Sequence, residues 1–233
     1  MSTEPLAPAV PPPDVVQTAA DQRLGGFQRV LTKYRKPLFR PAEFVFRVFD
    51  FEDGIVYQGR DGVLHTYPWS QVRTVYIGSI RHYANSAYYR TTYGFTLILA
   101  SGKRLGLNGV FRDPELRPHL IRTKPVDDEH ELFTLISAVA AVVCEEQLPE
   151  AAAALERGAT LAFADIEISR TGVQDAAGLI PWSEIDEVKV HQGMIRIKRA
   201  GRSRPLSDRS TAEIPNVQLL IRLAMTLHAR QRR

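Results

Sequence analysis

Gly172-Val173, then Leu179-Ile180-Pro181-Trp182-Ser183-Glu184-Ile185, then Val188 and Val190: the chain says this phrase twice, and its repetition decides how the sequence is read. The earlier copy runs Gly54-Ile55, Leu64, Pro68-Trp69-Ser70-Gln71-Val72, Val75 and Ile77. The chain has 2 Trp, and each lies inside a Pro-Trp-Ser-polar-aliphatic phrase. An aromatic duplicated along with its frame is expected to be structural. Trp69 and Trp182 should each enter a strand and pack a ring into a core, with the indole N–H finding a backbone acceptor.

Working outward from the second copy, Thr160 to Ser169 alternates, with Leu161, Phe163, Ile166 and Ile168 on the core side. Met194 to Lys198 puts Ile on one strand face and cations on the other. Ala200-Gly201 turns the chain, and Pro215-Asn216 opens a helix with the stripe Val217, Leu220-Ile221, Ala224, Leu227. Around the first copy, Phe44 to Phe51 is aromatic and β-branched with imperfect alternation. Turn signals stand at Glu52-Asp53-Gly54, Arg60-Asp61-Gly62 and Ser101-Gly102-Lys103. Phe111 to Arg122 reads as a loop. Asp128 and Glu131 then fit a capping box before the stripe Leu132, Leu135-Ile136, Val139, Val142-Val143. A separate short helix is expected over Pro149–Arg157, ended by Gly158. Each half therefore reads as short antiparallel strands closed by one C-terminal amphipathic helix.

A Gly-aliphatic hairpin, a Pro-Trp-Ser-Glu/Gln-aliphatic strand entry and a closing helix, all repeated, resemble tandem bacterial pleckstrin-homology-like (PH-like) domains. More narrowly they resemble a group of uncharacterised bacterial proteins built from two such domains. The resemblance covers roughly residues 37–233 and is better in the second half. It implies an α+β fold of two modules, each a strongly bent antiparallel sheet or partial barrel closed by its helix. It implies binding surfaces and no catalytic residues. The expected organisation is a Pro/Ala-rich disordered tail (1–20), a basic arm (21–36), a first module (37–148) and a second (149–233). In the arm, Leu24, Phe27, Val30-Leu31 and Tyr34 recur at helical spacing among cations. That predicts a short helix or extended arm docked on the first module, or a basic segment lying on an anionic membrane.

Composition limits the chemistry. A length of 233 residues at 44% hydrophobic content suffices for two small cores. The single cysteine, Cys144, excludes an internal disulfide framework, and its apolar helical setting predicts inert packing. There is no Gly-x-Ser-x-Gly elbow, no His-Glu-x-x-His, no phosphate loop and no dinucleotide fingerprint, and the 6 histidines are scattered. No enzyme, cofactor or metal is expected. The apolar run from Leu132 to Cys144 is shorter than a bilayer span, and no basic n-region precedes an apolar core near Met1. The expected location is cytoplasmic, with membrane association open.

Charge supplies the candidate sites. Acids dominate 149–188, and arginines dominate 189–233. Arg196, Lys198, Arg199, Arg202 and Arg204, with Arg35 and Lys36 of the arm, form the candidate anion-binding set, since the guanidinium fork suits phosphate. The competing expectation is that these cations pair across strands with the acids. Between Gly78 and Thr92, Arg81, Tyr83, Tyr88, Tyr89 and Arg90 form a candidate interaction loop. The function expected is a non-enzymatic scaffold or adaptor binding a protein partner. The alternative is a peripheral membrane protein recognising anionic head groups. A sequence pI near 9.3 permits nucleic acid, but no motif for it is present, so it ranks last.

Overall fold

The structure is a computed structural model that describes residues 10–35, 41, 43–113, 116, 128–175, 178–191, 193–201 and 207–231. It opens with helix α1 (Pro13–Asp21), whose first residue is a proline, where a missing N–H costs nothing. Four strands follow, β1 (Phe27–Arg35), β2 (Glu43–Phe51), β3 (Gly54–Gln58) and β4 (Leu64–Pro68), joined in sequence order into one antiparallel sheet. A 3-10 turn at Trp69–Gln71 leads to a second antiparallel sheet of β5 (Val72–Ala84), β6 (Ala87–Leu99) and β7 (Arg104–Phe111). Helix α2 (Asp128–Glu156) comes next.

The order then repeats. Strands β8 (Leu161–Phe163), β9 (Ile166–Ile168), β10 (Gly172–Asp175) and β11 (Gly178–Pro181) form a four-stranded sheet. A 3-10 turn at Trp182–Glu184 leads to β12 (Ile185–His191), β13 (Met194–Arg199) and β14 (Ser207–Ser210), and helix α3 (Val217–Gln231) follows. The fold is mixed α+β with antiparallel sheets and a helix at the end of each half, as the sequence predicts at that level.

The repeated phrase acquires a geometric reason. Gly54 stands directly opposite Pro68, and Gly172 directly opposite Pro181. A Cβ on Gly54 would sit 2.8 Å from the Tyr67 carbonyl oxygen and 3.0 Å from Pro68 Cα. On Gly172 it would sit 3.0 Å from Pro181 Cα and closer still to the Ile180 carbonyl. Only glycine allows the two backbones this approach. The tryptophan that follows turns inward in both copies. Trp182 is 1% exposed, and its Nε1–H donates to the Ser169 carbonyl at 2.9 Å; Trp69 is also buried. Both copies then carry a strand irregularity at the matching place, between Val72 and Thr74 and between Ile185 and Glu187.

Two expectations change here, and for the basic arm the extended, docked alternative is the one found. Pro13–Asp21 is helical, with Val15 and Ala19 buried against Leu24, Phe49, Phe51 and Val56, so this part of the expected disordered tail is ordered. The basic arm is strand β1, paired along its length with β2. Its helix-like stripe arises because both faces of this sheet are covered. Leu31, Phe46 and Val48 enter the core under α2, whereas Phe27, Val30, Phe49 and Phe51 face α1. Two of its cations are paired, Arg29 with Asp50 and Lys33 with Glu129, both at 3.1 Å. The short helix expected over 149–157 is the end of α2, which continues through Pro149. A boundary at 148/149 thus falls inside a helix.

That helix serves two cores. Leu132, Leu135, Ile136, Val139, Ala140 and Val143 fill the first, and Cys144, Leu148, Ala151, Ala152 and Leu155 contribute to the second. By length and composition alone α2 would suffice to cross a bilayer. Its buried apolar residues line the two protein cores. The halves also meet at the free edge of β5. The Val75 N–H donates to Asn216 Oδ1 and the Asn216 N–H donates to the Val75 carbonyl, each at 2.8 Å. Asn216 Nδ2 donates to the Arg73 carbonyl at 2.9 Å and to Gln147 Oε1 at 3.0 Å, while Gln147 Nε2 donates to the Arg73 carbonyl at 3.1 Å. Asn216 has φ +49°, a conformation asparagine tolerates better than most residues.

Trp182→Ala should lower the stability of the chain by about 3–5 kcal/mol, read as the shift in urea unfolding, because a large buried ring leaves a cavity. Unchanged stability would contradict its role as an internal support. Asn216→Ala should cost about 2–4 kcal/mol through the orphaned Val75 N–H and the left-handed backbone. Asn216→Gly should recover the backbone part alone, so an equal loss in both variants would place the whole effect on the hydrogen bonds.

Candidate functional site

Of the candidate anion-binding set, the side chains of Arg196, Lys198 and Arg199 lie within the described residues. Arg199 forms an ion pair with Glu184. Lys198 stands opposite Glu187 on β12, and Arg196 stands between Lys189 and Asp208 in register. Glu187 bonds Lys189 at 2.8 Å. That hydrogen bond first, then the charges of Lys189, Lys198 and Arg196, hold its carboxyl below the usual range. The pairing extends through the second half: Arg209 with Asp165, Arg230 with Glu156, and Arg222 with Glu145 at 3.0 Å. The Arg230 hydrogen bond and charge, helped by Arg170, hold Glu156 low in the same way. Arg35 ends β1 opposite Glu43. Its side chain, and all of Lys36, Arg202 and Arg204, lie outside the described residues.

The stretch read as an interaction loop is a hairpin. Strands β5 and β6 are each 13 residues long and pair to their tips, Ala84 opposite Ala87. Asn85 and Ser86 form the two-residue turn, with φ +48° and +63°, the conformation that matches the twist of a tight hairpin. Strand β7 stops opposite Thr91, so the last pairs of β5 and β6 project as a two-stranded ribbon. Tyr88 is buried: its hydroxyl meets Thr91 Oγ1 at 2.9 Å and accepts the Asp113 N–H at 2.9 Å. Tyr83 packs edge-on against it yet is 58% exposed. Arg81, opposite Thr91, is exposed.

The other face of this ribbon was not assembled by sequence reasoning. Ile80, Thr92 and Val110 are aligned across β5, β6 and β7. His82 and Arg90 form the next row, and His82 Nε2 lies 2.9 Å from Thr92 Oγ1. The register skips Tyr89, leaving it as the extra residue of a bulge between Tyr88 and Arg90. The guanidinium carbons of Arg90 and Arg112 lie 5.5 and 5.6 Å from its ring centroid. Ile80 is 61%, Val110 45% and Tyr89 43% exposed. The available signal was the i,i+2 alternation Ile80/His82 and Val110/Arg112. Only the three-strand register joins the two.

Between the halves, Val75, Ile77, Ala140, Val143, Cys144 and Gln147 line a crevice with Asn216 and Val217. It encloses about 10 Å³, enough for roughly one water. Burial, reinforced by Glu145 and opposed by Arg222, raises the Cys144 thiol above its ordinary value. Among the described residues no group of three His, Cys, Asp or Glu is placed to hold a metal ion.

Residues 128–233 match a family of unknown function, DUF6585. The matched span contains α2 together with the whole second half. No curated protein matches the chain.

Cys144 should react with a thiol reagent such as Ellman's at least tenfold more slowly in the native chain than in urea, since burial disfavours the thiolate. Equal rates would show that the crevice between the halves opens freely.

Proposed function

We propose that the chain is a non-enzymatic adaptor of two PH-like modules that docks a macromolecule through the β5–β6 hairpin. The PH-like reading is supported by the order of four strands, a 3-10 turn with its Trp, three strands and a helix, which occurs twice. It is supported further by the matched Gly–Pro approach and the matched irregularity in each copy. Two modules of this kind, each a bent sheet closed by a helix, offer surfaces and edges for recognition.

One observation carries the docking role. Exposed large apolar side chains gather on and beside the projecting ribbon, with Ile80, Tyr83, Tyr89 and Val110 all there. The shared helix α2 and the Asn216 contact tie that ribbon to a body formed by both halves. A partner gripping the hairpin therefore grips a rigid handle, which suits an adaptor. A protein partner and an anionic membrane are the two occupants the sequence suggests.

A photo-crosslinking amino acid in place of Tyr83, in living cells, should give higher-mass adducts or lipid-modified protein. The same residue in place of Val63, exposed in the turn before β4, should give none. Equal labelling at both positions, or none at Tyr83, removes the hairpin as the docking element.

A further inference from the structure

We infer that the outer face of the β5–β6 hairpin, Ile80, Tyr89, Arg90, Val110 and Arg112, is a docking surface for an anionic phospholipid membrane. The inference rests on the proposal that this hairpin is the binding element, and it names the occupant. Three observations select it.

The first is charge. Arg81, Arg90 and Arg112 have no carboxylate partner among the described residues, unlike the cations of β1, β12, β13 and α3 described above. Among the described residues this face contains no acid. Nearby Glu129 accepts the Tyr93 hydroxyl at 2.7 Å and pairs with Lys33, and Asp113 offers its amide to buried Tyr88.

The second is the way those arginines are held. The guanidinium groups of Arg90 and Arg112 both lie over the Tyr89 ring, so an aromatic contact positions them. Their planar donors suit phosphate oxygens, and a half-exposed tyrosine suits the head-group layer.

The third is the exposed apolar row. Ile80 and Val110 flank Thr92 across three paired strands, and both are exposed. A bilayer surface accepts aliphatic side chains on a sheet face with arginines beside them, combining apolar burial with attraction to anionic lipid.

The test is co-sedimentation of the full chain with vesicles of phosphatidylcholine containing about one part in three phosphatidylglycerol, against phosphatidylcholine alone. The unmodified chain should partition onto the anionic vesicles and weaken as salt is raised. Arg90→Glu with Arg112→Glu should reduce partitioning at least tenfold, and Ile80→Asp with Val110→Asp should do the same. Arg60→Glu with Arg157→Glu changes net charge equally at exposed positions elsewhere, and should reduce it less than twofold. All of these side chains are exposed, and an unchanged circular dichroism melt confirms folding of each variant. Absence of binding to anionic vesicles at low salt overturns the inference, as does an equal loss in the Arg60/Arg157 control. Saturable binding of a polyglutamate peptide without vesicle binding also overturns it and assigns the face to an acidic protein. A protein adduct at Tyr83 together with no vesicle binding would sink the lipid assignment and leave the hairpin as a docking element.

Discussion

The reciprocal pair between Val75 and Asn216 is the constraint on which the arrangement of the halves depends. Strand β5 is the edge of its sheet, and an edge strand presents unpaired backbone groups. Asn216 satisfies both groups of Val75, the carbonyl with its own N–H and the N–H with its side-chain oxygen. One residue thereby imitates a neighbouring strand. The same side chain reaches Gln147 on α2 and the Arg73 carbonyl, so helix, sheet and second half converge on a single amide. Gly78 continues the contact: a side chain there would strike Ala212. Ile77 completes it by packing against both large cores.

Much of this architecture was legible because local chemistry and tertiary structure agree. Gly62 and Gly102 mark turns and adopt positive φ. The final helix buries the Val217, Leu220, Ala224 and Leu227 stripe read from its spacing. The Pro-Trp phrase identified two equivalent strand entries, although the reason for its glycine appears only when Gly54 and Gly172 are seen opposite prolines. The misreadings have a common cause. A strand covered on both faces loses its alternation, so β1 resembled a helix and α1 went unrecognised as the cover. Pro149 suggested a break, but packing of Leu148, Ala151 and Ala152 against the second core carries α2 through it at the loss of one hydrogen bond.

The candidate site was legible in parts. Arg81, Tyr83, Tyr89 and Arg90 were singled out from composition, but a hairpin has two faces, and alternation divides what a linear cluster joins. Tyr88 points into protein, whereas Ile80, Val110 and Arg112 join from other strands. Charge left two expectations open in the sequence, an arginine cluster or cross-strand pairing. Acidic 149–188 and basic 189–233 look segregated along the chain, yet antiparallel pairing lays one against the other. Lys198 accordingly stands opposite Glu187, and Arg199 pairs with Glu184.

The shared helix carries a thermodynamic consequence. A helix that fills two cores cannot leave one without exposing the other, so the two halves draw on one folding equilibrium. Anything that binds only the native first half then raises the heat resistance of the second, through mass action rather than through any change of shape. A surface held by the hairpin protects α3, on the other half of the molecule, because the same helix α2 anchors both.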